Sequence, residues 1–189
     1  TWAMAVVQDI QTGEILALED TDEYQAGSDQ AKLNASRAVS RKLETGLGGQ
    51  GIDHDVRTAA DRAAQATDKF TVPYSYTKDG QEYHDSSVHG DEHWTLAGII
   101  KNSSNVGVVM ASSQYTKKQR YEYLTKFGIG QSSGMSIPGE SRGQLGTPES
   151  WDGRTSNTIL FGQGYSVNAL QLTNVVATIG NKACASSSR

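Results

Sequence analysis

A chain of 189 residues with a net charge of −4 and a pI near 5.5 holds one domain or a large piece of one, and lacks the clustered Lys and Arg that a nucleic-acid partner requires. Hydrophobic types make up 36%, and the 20 glycines bring the apolar share close to the roughly 45–50% of compact domains, so a sparing core is expected. The single cysteine, Cys184, excludes an intrachain disulfide and a cysteine-built zinc site, and no apolar run nears the roughly 18 residues of a membrane span.

In chain order, the apolar runs at residues 3–7 and 15–18 flank a polar stretch with Gly13, where a turn wants positive φ; a β-hairpin is predicted. Residues 20–34 are polar and read as a surface loop. From Thr95 the period becomes helical: Leu96, Ile99 and Ile100 fall at i, i+3 and i+4, with Thr95 placed to cap. Val106, Val109 and Met110 repeat that spacing, so two helical stretches flank the polar tripeptide Ser103-Ser104-Asn105. Thr116 and Gln119 fit a capping box, followed by the apolar face of Tyr121, Leu124 and Phe127 and a terminating Gly128. Residues 128–147, rich in Gly, Ser and Pro, read as loop or short strand. Asn168 caps a last helix whose Leu172, Val175, Val176 and Ile179 share a face. Strands first and helices later imply an α+β or layered α/β class.

Several other features carry bland readings. His84, His89 and His93 lie close together, with zinc-like i, i+4 spacing between the last two, but Gly90 speaks against a helix there and no metal is expected. Asp85, Asp91 and Glu92 read as carboxylates of a solvated loop, and Lys117, Lys118 and Arg120 as a solvated helix face. Gly162-Gln163-Gly164 lacks the third glycine of a dinucleotide fingerprint and reads as a tight turn. Trp2, Trp94 and Trp151 are assigned to packing. Taken alone, Ser103-Ser104-Asn105 is a polar turn between helices.

The order of short motifs says more. Ala5-Val6-Val7-Gln8-Asp9, Ser36-Arg37-Ala38-Val39, Glu44-Thr45-Gly46, Phe70-Thr71-Val72-Pro73, His84-Asp85-Ser86, Ser103-Ser104-Asn105, Phe127-Gly128-Ile129-Gly130, Pro138-Gly139-Glu140, Phe161-Gly162-Gln163-Gly164 and Leu170-Gln171-Leu172 follow one another. Each is unspecific, but the ordered set resembles the transpeptidase domain of class B penicillin-binding proteins of the cell-division type.

The resemblance implies an α+β fold (an α/β sandwich of the penicillin-binding transpeptidase and serine β-lactamase kind), here incomplete, with an antiparallel sheet and flanking helices. It implies chemistry from S-x-x-K, S-x-N and K-T-G elements. A serine hydroxyl attacks once a lysine one turn along takes its proton, and the S-x-N serine relays that proton while the asparagine holds the substrate amide. By this match Ser103 and Asn105 are the S-x-N pair, and Ser104 and Gly162 are substrate-side positions. No cofactor or metal is implied. The implied partners are peptidoglycan stem peptides, β-lactams and cell-division proteins. The implied place is the outer side of the cytoplasmic membrane at the septum, in a longer parent protein with an anchor and a further domain.

The chain departs from this pattern where the nucleophile belongs. Leu47 and Gln50 occupy the serine and lysine positions, and neither a leucine nor a neutral amide can act as nucleophile or base. The run after them has too many charges for a central helix, and no K-T-G strand follows. Both departures, at residues 47–66 and 183–189, fit frame-shifted segments. A coding string chosen for residues 47–55, read one base later, gives Ser-Ala-Gly-Lys-Val-Ser-Thr-Met, with serine level with Leu47 and lysine level with Gln50. The rivals are a non-catalytic pseudoenzyme that binds peptidoglycan or division proteins, and a non-functional fragment. A serine β-lactamase would need the same missing nucleophile.

Overall fold

The computed structural model describes residues 3–21, 36–44 and 67–181. The departing segments, with Leu47, Gln50 and Cys184, lie outside the described residues, as does Trp2. Along the chain run β1 (Met4–Gln8), β2 (Ile15–Asp20), α1 (Arg37–Ser40), β3 (Lys69–Val72), β4 (Ser75–Lys78), β5 (Gln81–His84), β6 (Glu92–Thr95), α2 (Leu96–Lys101), α3 (Asn105–Ala111), α4 (Lys117–Lys126), β7 (Gln144–Leu145), α5 (Thr155–Thr158), β8 (Tyr165–Ser166) and α6 (Ala169–Gly180). Antiparallel strand pairs and helices together are the α+β class that the sequence implies. The chain divides into two compact units, one drawn from residues 1–44, 124–145 and 166–189, the other from 45–123 and 146–165.

In the first unit β1 and β2 form the expected hairpin, with Val6 opposite Leu18. Its turn is closed by Asp9, whose carboxylate accepts from the Gln11 and Thr12 amides at 2.8 and 2.7 Å, and by Gly13 at φ +77°. Asp20 belongs to β2 rather than to a loop. Its carboxylate accepts from the Arg37 amide at 2.7 Å and the Ser36 hydroxyl at 3.1 Å, tying the strand end to α1.

Helix α6 begins at a capping box that is deeper than a surface cap. The Asn168 side chain accepts from the Gln171 amide at 2.7 Å, and the Gln171 side chain accepts from the Asn168 amide at 2.9 Å. The Gln171 amide nitrogen also reaches the carbonyls of Gly128, Gln131 and Arg142 at 3.1, 2.8 and 3.0 Å. Asn168 and Gln171 are both buried, and this turns Val175 inward with them. Val176, expected on the inner face, is therefore 62% exposed, at the margin of an apolar groove of about 580 Å³ that Val6, Val7 and Ile10 line from the hairpin side.

In the second unit β3 pairs antiparallel with β6, and β4 with β5 across Asp79-Gly80, both at positive φ as a type I′ hairpin turn requires. The core is a cluster of Val72, Tyr83, Leu96, Ile99, Val106, Val108, Val109, Leu160 and Phe161. Helices α2 and α3 meet closely because Gly107 has no side chain: a Cβ there would lie 2.7 Å from the Ile99 Cγ2.

Helix α4 starts at the expected reciprocal cap, with Gln119 Oε1 accepting from the Thr116 amide at 3.0 Å and Thr116 Oγ1 from the Gln119 amide at 3.2 Å. The basic cluster that opens it is not uniformly solvated. Lys118 is exposed, but Arg120 is 3% exposed and donates to the carbonyls of Ser112 and Ser156 and to Asn157 Oδ1. A helical arginine with such acceptors in reach keeps hydrogen bonds at both terminal guanidinium nitrogens as it gives up water.

Candidate active site

The tripeptide Ser103-Ser104-Asn105 reverses the chain between α2 and α3. Helix α2 begins at Thr95, whose hydroxyl accepts from the Gly98 amide at 3.1 Å, as the sequence predicts. It ends when the amides of Ser103 and Ser104 bond back to the carbonyls of Ile100 and Ile99, each at 3.1 Å. Ser103 takes a left-handed φ of +51°, uncommon for a residue with a Cβ and typical of a position held by its surroundings. Asn105 then opens α3, and Ser103 and Asn105 are both half-buried.

Ser104 differs from the substrate contact expected of it. It is 1% exposed and is the N-cap of α3: its hydroxyl accepts from the Gly107 amide at 2.8 Å and donates to Asp85 Oδ2 at 2.6 Å. The seven-residue helix must bury its first turn among apolar side chains, so the cap serine goes in with it.

The partner of that cap is Asp85, read from the sequence as a solvated carboxylate and 5% exposed in the structure. Its second oxygen accepts from the Val106 amide at 2.9 Å. One residue earlier, the His84 carbonyl accepts from the Asn105 side-chain amide at 3.3 Å. Two consecutive residues at the end of β5 thus grip three consecutive residues of the tripeptide and helix start. A carboxylate can be buried here because donors meet it from several sides.

His89 supplies one more of those contacts. Its Nε2 lies 3.0 Å from Asp85 Oδ2, and its Nδ1 lies 2.6 Å from the Gly90 carbonyl. The Gly90 carbonyl foremost, then the Asp85 carboxylate, with Glu92 adding its charge, raise the His89 pKa above the ordinary histidine value against the opposing effect of burial. Tyr74 meets the ring edge-on, and Trp94 lies 5.4 Å away. The three histidines do not converge: His84 ends β5 with its ring stacked on Tyr74, and His93 sits on β6 with Nδ1 3.1 Å from the Thr71 hydroxyl. Among the described residues no cluster of His, Cys, Asp and Glu has the makings of a metal site.

A cleft of about 180 Å³ opens beside the tripeptide, lined by Asn105, His84, Thr158, Phe161, Gln163 and Arg154 among others. Two residues with side-chain amides, an arginine and the carboxylate-bearing Glu82 line one small space, a mix of donors and acceptors that suits polar groups. Gly162 is buried at φ +82°, where it ends the short 3-10 turn Ile159–Phe161 and sets Phe161 and Gln163 on the wall of the cleft. Sequence reading had no local signal for Asp85, because its partner Ser104 is 19 positions away.

Residues 58–184 match the family described as the penicillin-binding protein transpeptidase domain, and the chain belongs to that family. It is similar to a peptidoglycan synthetase from Bifidobacterium adolescentis, with 53% identity and a TM-score of 0.91 over 96% of this chain and 33% of that one. It is similar to penicillin-binding protein 3 from Mycobacterium tuberculosis, whose structure holds ampicillin, with 31% identity and a TM-score of 0.87 over 95% of this chain and 40% of that one. It also resembles the peptidoglycan D,D-transpeptidase FtsI of Escherichia coli, 28% identical over 94% of this chain and 30% of the relative. The chain spans between about a quarter and two-fifths of the length of such relatives.

Proposed function

We propose that the chain is part of a peptidoglycan D,D-transpeptidase that cross-links stem peptides at the division septum, on the outer side of the cytoplasmic membrane, and that the chain as written does not turn over. The observation that carries the reading is Asn105, which lines a small polar cleft directly after Ser103 and Ser104, with its side-chain amide tied to the His84 carbonyl. In this reading Asn105 donates to the substrate amide, and Ser103, in its left-handed conformation, is the hydroxyl that relays the proton. Ser104 is the cap that seats both. β-Lactams, which mimic the acyl-D-alanine end, address the same cleft. Among the described residues no helix is long and apolar enough to cross a membrane.

The inactivity follows from Leu47 and Gln50, which supply neither a nucleophile nor a base. Frame-shifted coding of residues 47–66 and 183–189 is the proposed cause. Fluorescent penicillin added to the purified chain is expected to leave no covalent label, and a stable adduct would overturn the inactivity. The coding DNA is expected to restore S-x-x-K one base out of frame. Codons that restore it in neither shifted frame would leave a diverged pseudoenzyme in its place.

A further inference from the structure

We propose that Asp85 and His89 are positioning residues of the transpeptidase site, which act through Ser104 and Val106 to hold Ser103 and Asn105, and that protonation of His89 tightens the hold. This rests on the reading of Ser103 and Asn105 as the S-x-N pair.

The chain of contacts is continuous. His89 meets Asp85 Oδ2, which accepts from the Ser104 hydroxyl, and Asp85 Oδ1 accepts from the Val106 amide. Asn105 lies between those two residues, with its side-chain amide on the neighbouring His84 carbonyl. A shift of the Asp85 carboxylate therefore moves the residues on both sides of Asn105 at once.

The environment of His89 calls for a cation. Both ring nitrogens face acceptors, the Gly90 carbonyl and the Asp85 carboxylate, and only the imidazolium has two N–H groups to give. On losing its proton the ring must turn a lone pair on one of them. The charge-assisted bond to the Asp85 carboxylate is the one kept, so a lone pair then faces the Gly90 carbonyl, the ring loses that anchor, and Asp85 loses its cationic partner. The other charged or titratable groups around the ring are Glu92, which favours the cation, and Tyr74, edge-on, with His84 beyond it. His93 bonds Thr71 instead.

The test is an NMR titration of the whole chain, reading the His89 ring together with the Val106 backbone amide and the Asn105 side-chain amide. In the unsubstituted chain both amides are expected to shift with the midpoint of the His89 ring. H89Q, which keeps an N–H donor group and does not titrate, is expected to flatten both amide curves. D85N is expected to lower the His89 midpoint; H89Q keeps the test valid if D85N does not fold. Amides that stay flat while His89 titrates, or that titrate unchanged in H89Q, overturn the proposal. Either result leaves the transpeptidase reading standing, because that reading is judged by ligand-induced shifts at Asn105, measured separately with a D-alanyl-D-alanine peptide.

Discussion

Two helix starts in this molecule solve the same problem with different chemistry. The buried first turn of α6 is held by Asn168 and Gln171, neutral groups that cap each other three residues apart and together reach four further carbonyls. The buried first turn of α3 is held by Ser104 with help from Asp85, a carboxylate that accepts from a hydroxyl, an amide and an imidazole. The neutral lock is indifferent to pH. The charged lock is stronger per bond and answers to protonation. The start beside the cleft is the charged one, so stability and site geometry are coupled there and not at α6.

Substitutions can break each lock in turn, and the largest loss is expected at Asp85. Asp85→Ala strands the Ser104 hydroxyl and the Val106 amide in the core and leaves His89 without its counter-charge, for an expected loss of about 3–5 kcal/mol in urea unfolding. An Asp85→Ala chain as stable as the parent would mean that the carboxylate is a bystander. Gln171→Ala removes four contacts of neutral groups and is expected to cost about 2–3 kcal/mol, with the same loss at pH 5 and pH 8. A pH-dependent loss there would erase the contrast between the locks.

Gly107→Ala probes the α3 start from its apolar side. Its Cβ would meet the fully buried Ile99 at 2.7 Å, and the expected cost is about 2 kcal/mol, read as a lower urea midpoint with an unchanged slope. The smallest effect is that of pH itself. Because the His89 pKa is raised on folding, its contribution is whole below the ordinary histidine value and is lost as pH rises through the raised one. The melting temperature is expected to fall across that window, and His89→Gln to remove the His89 part of the slope. A slope identical in His89→Gln would assign it to another group.

What could be read from the sequence divides along the same line. The caps at Thr95, at Thr116 with Gln119, and at Asn168 were legible because each side chain serves an amide within three residues of itself. So was the β1–β2 hairpin, whose turn is local. The Asp79-Gly80 hairpin had an equally local signal that went unread. Asp85 and Arg120 were misread as solvated because most of the groups that satisfy them are remote in sequence, as Ser104 is from Asp85 by 19 positions and Asn157 from Arg120 by 37. A charge reads as surface until the distant groups that satisfy it are known. Val176 was misread for a related reason: inward-turned Asn168 and Gln171 fix the rotation of α6, and apolar spacing alone does not reveal that. The assignment of Ser103 and Asn105 came from the order of motifs along the chain rather than from the tripeptide.

The most direct measurement follows Asn105 by NMR while a peptide ending in D-alanyl-D-alanine is added to the unsubstituted chain. A saturable shift of the Asn105 side-chain amide and of Gln163 across the cleft, reversed on dilution and with no change in intact mass, is expected. Saturating peptide that leaves Asn105 unmoved, or that shifts only residues away from the cleft, would contradict the assignment of this tripeptide to a transpeptidase site.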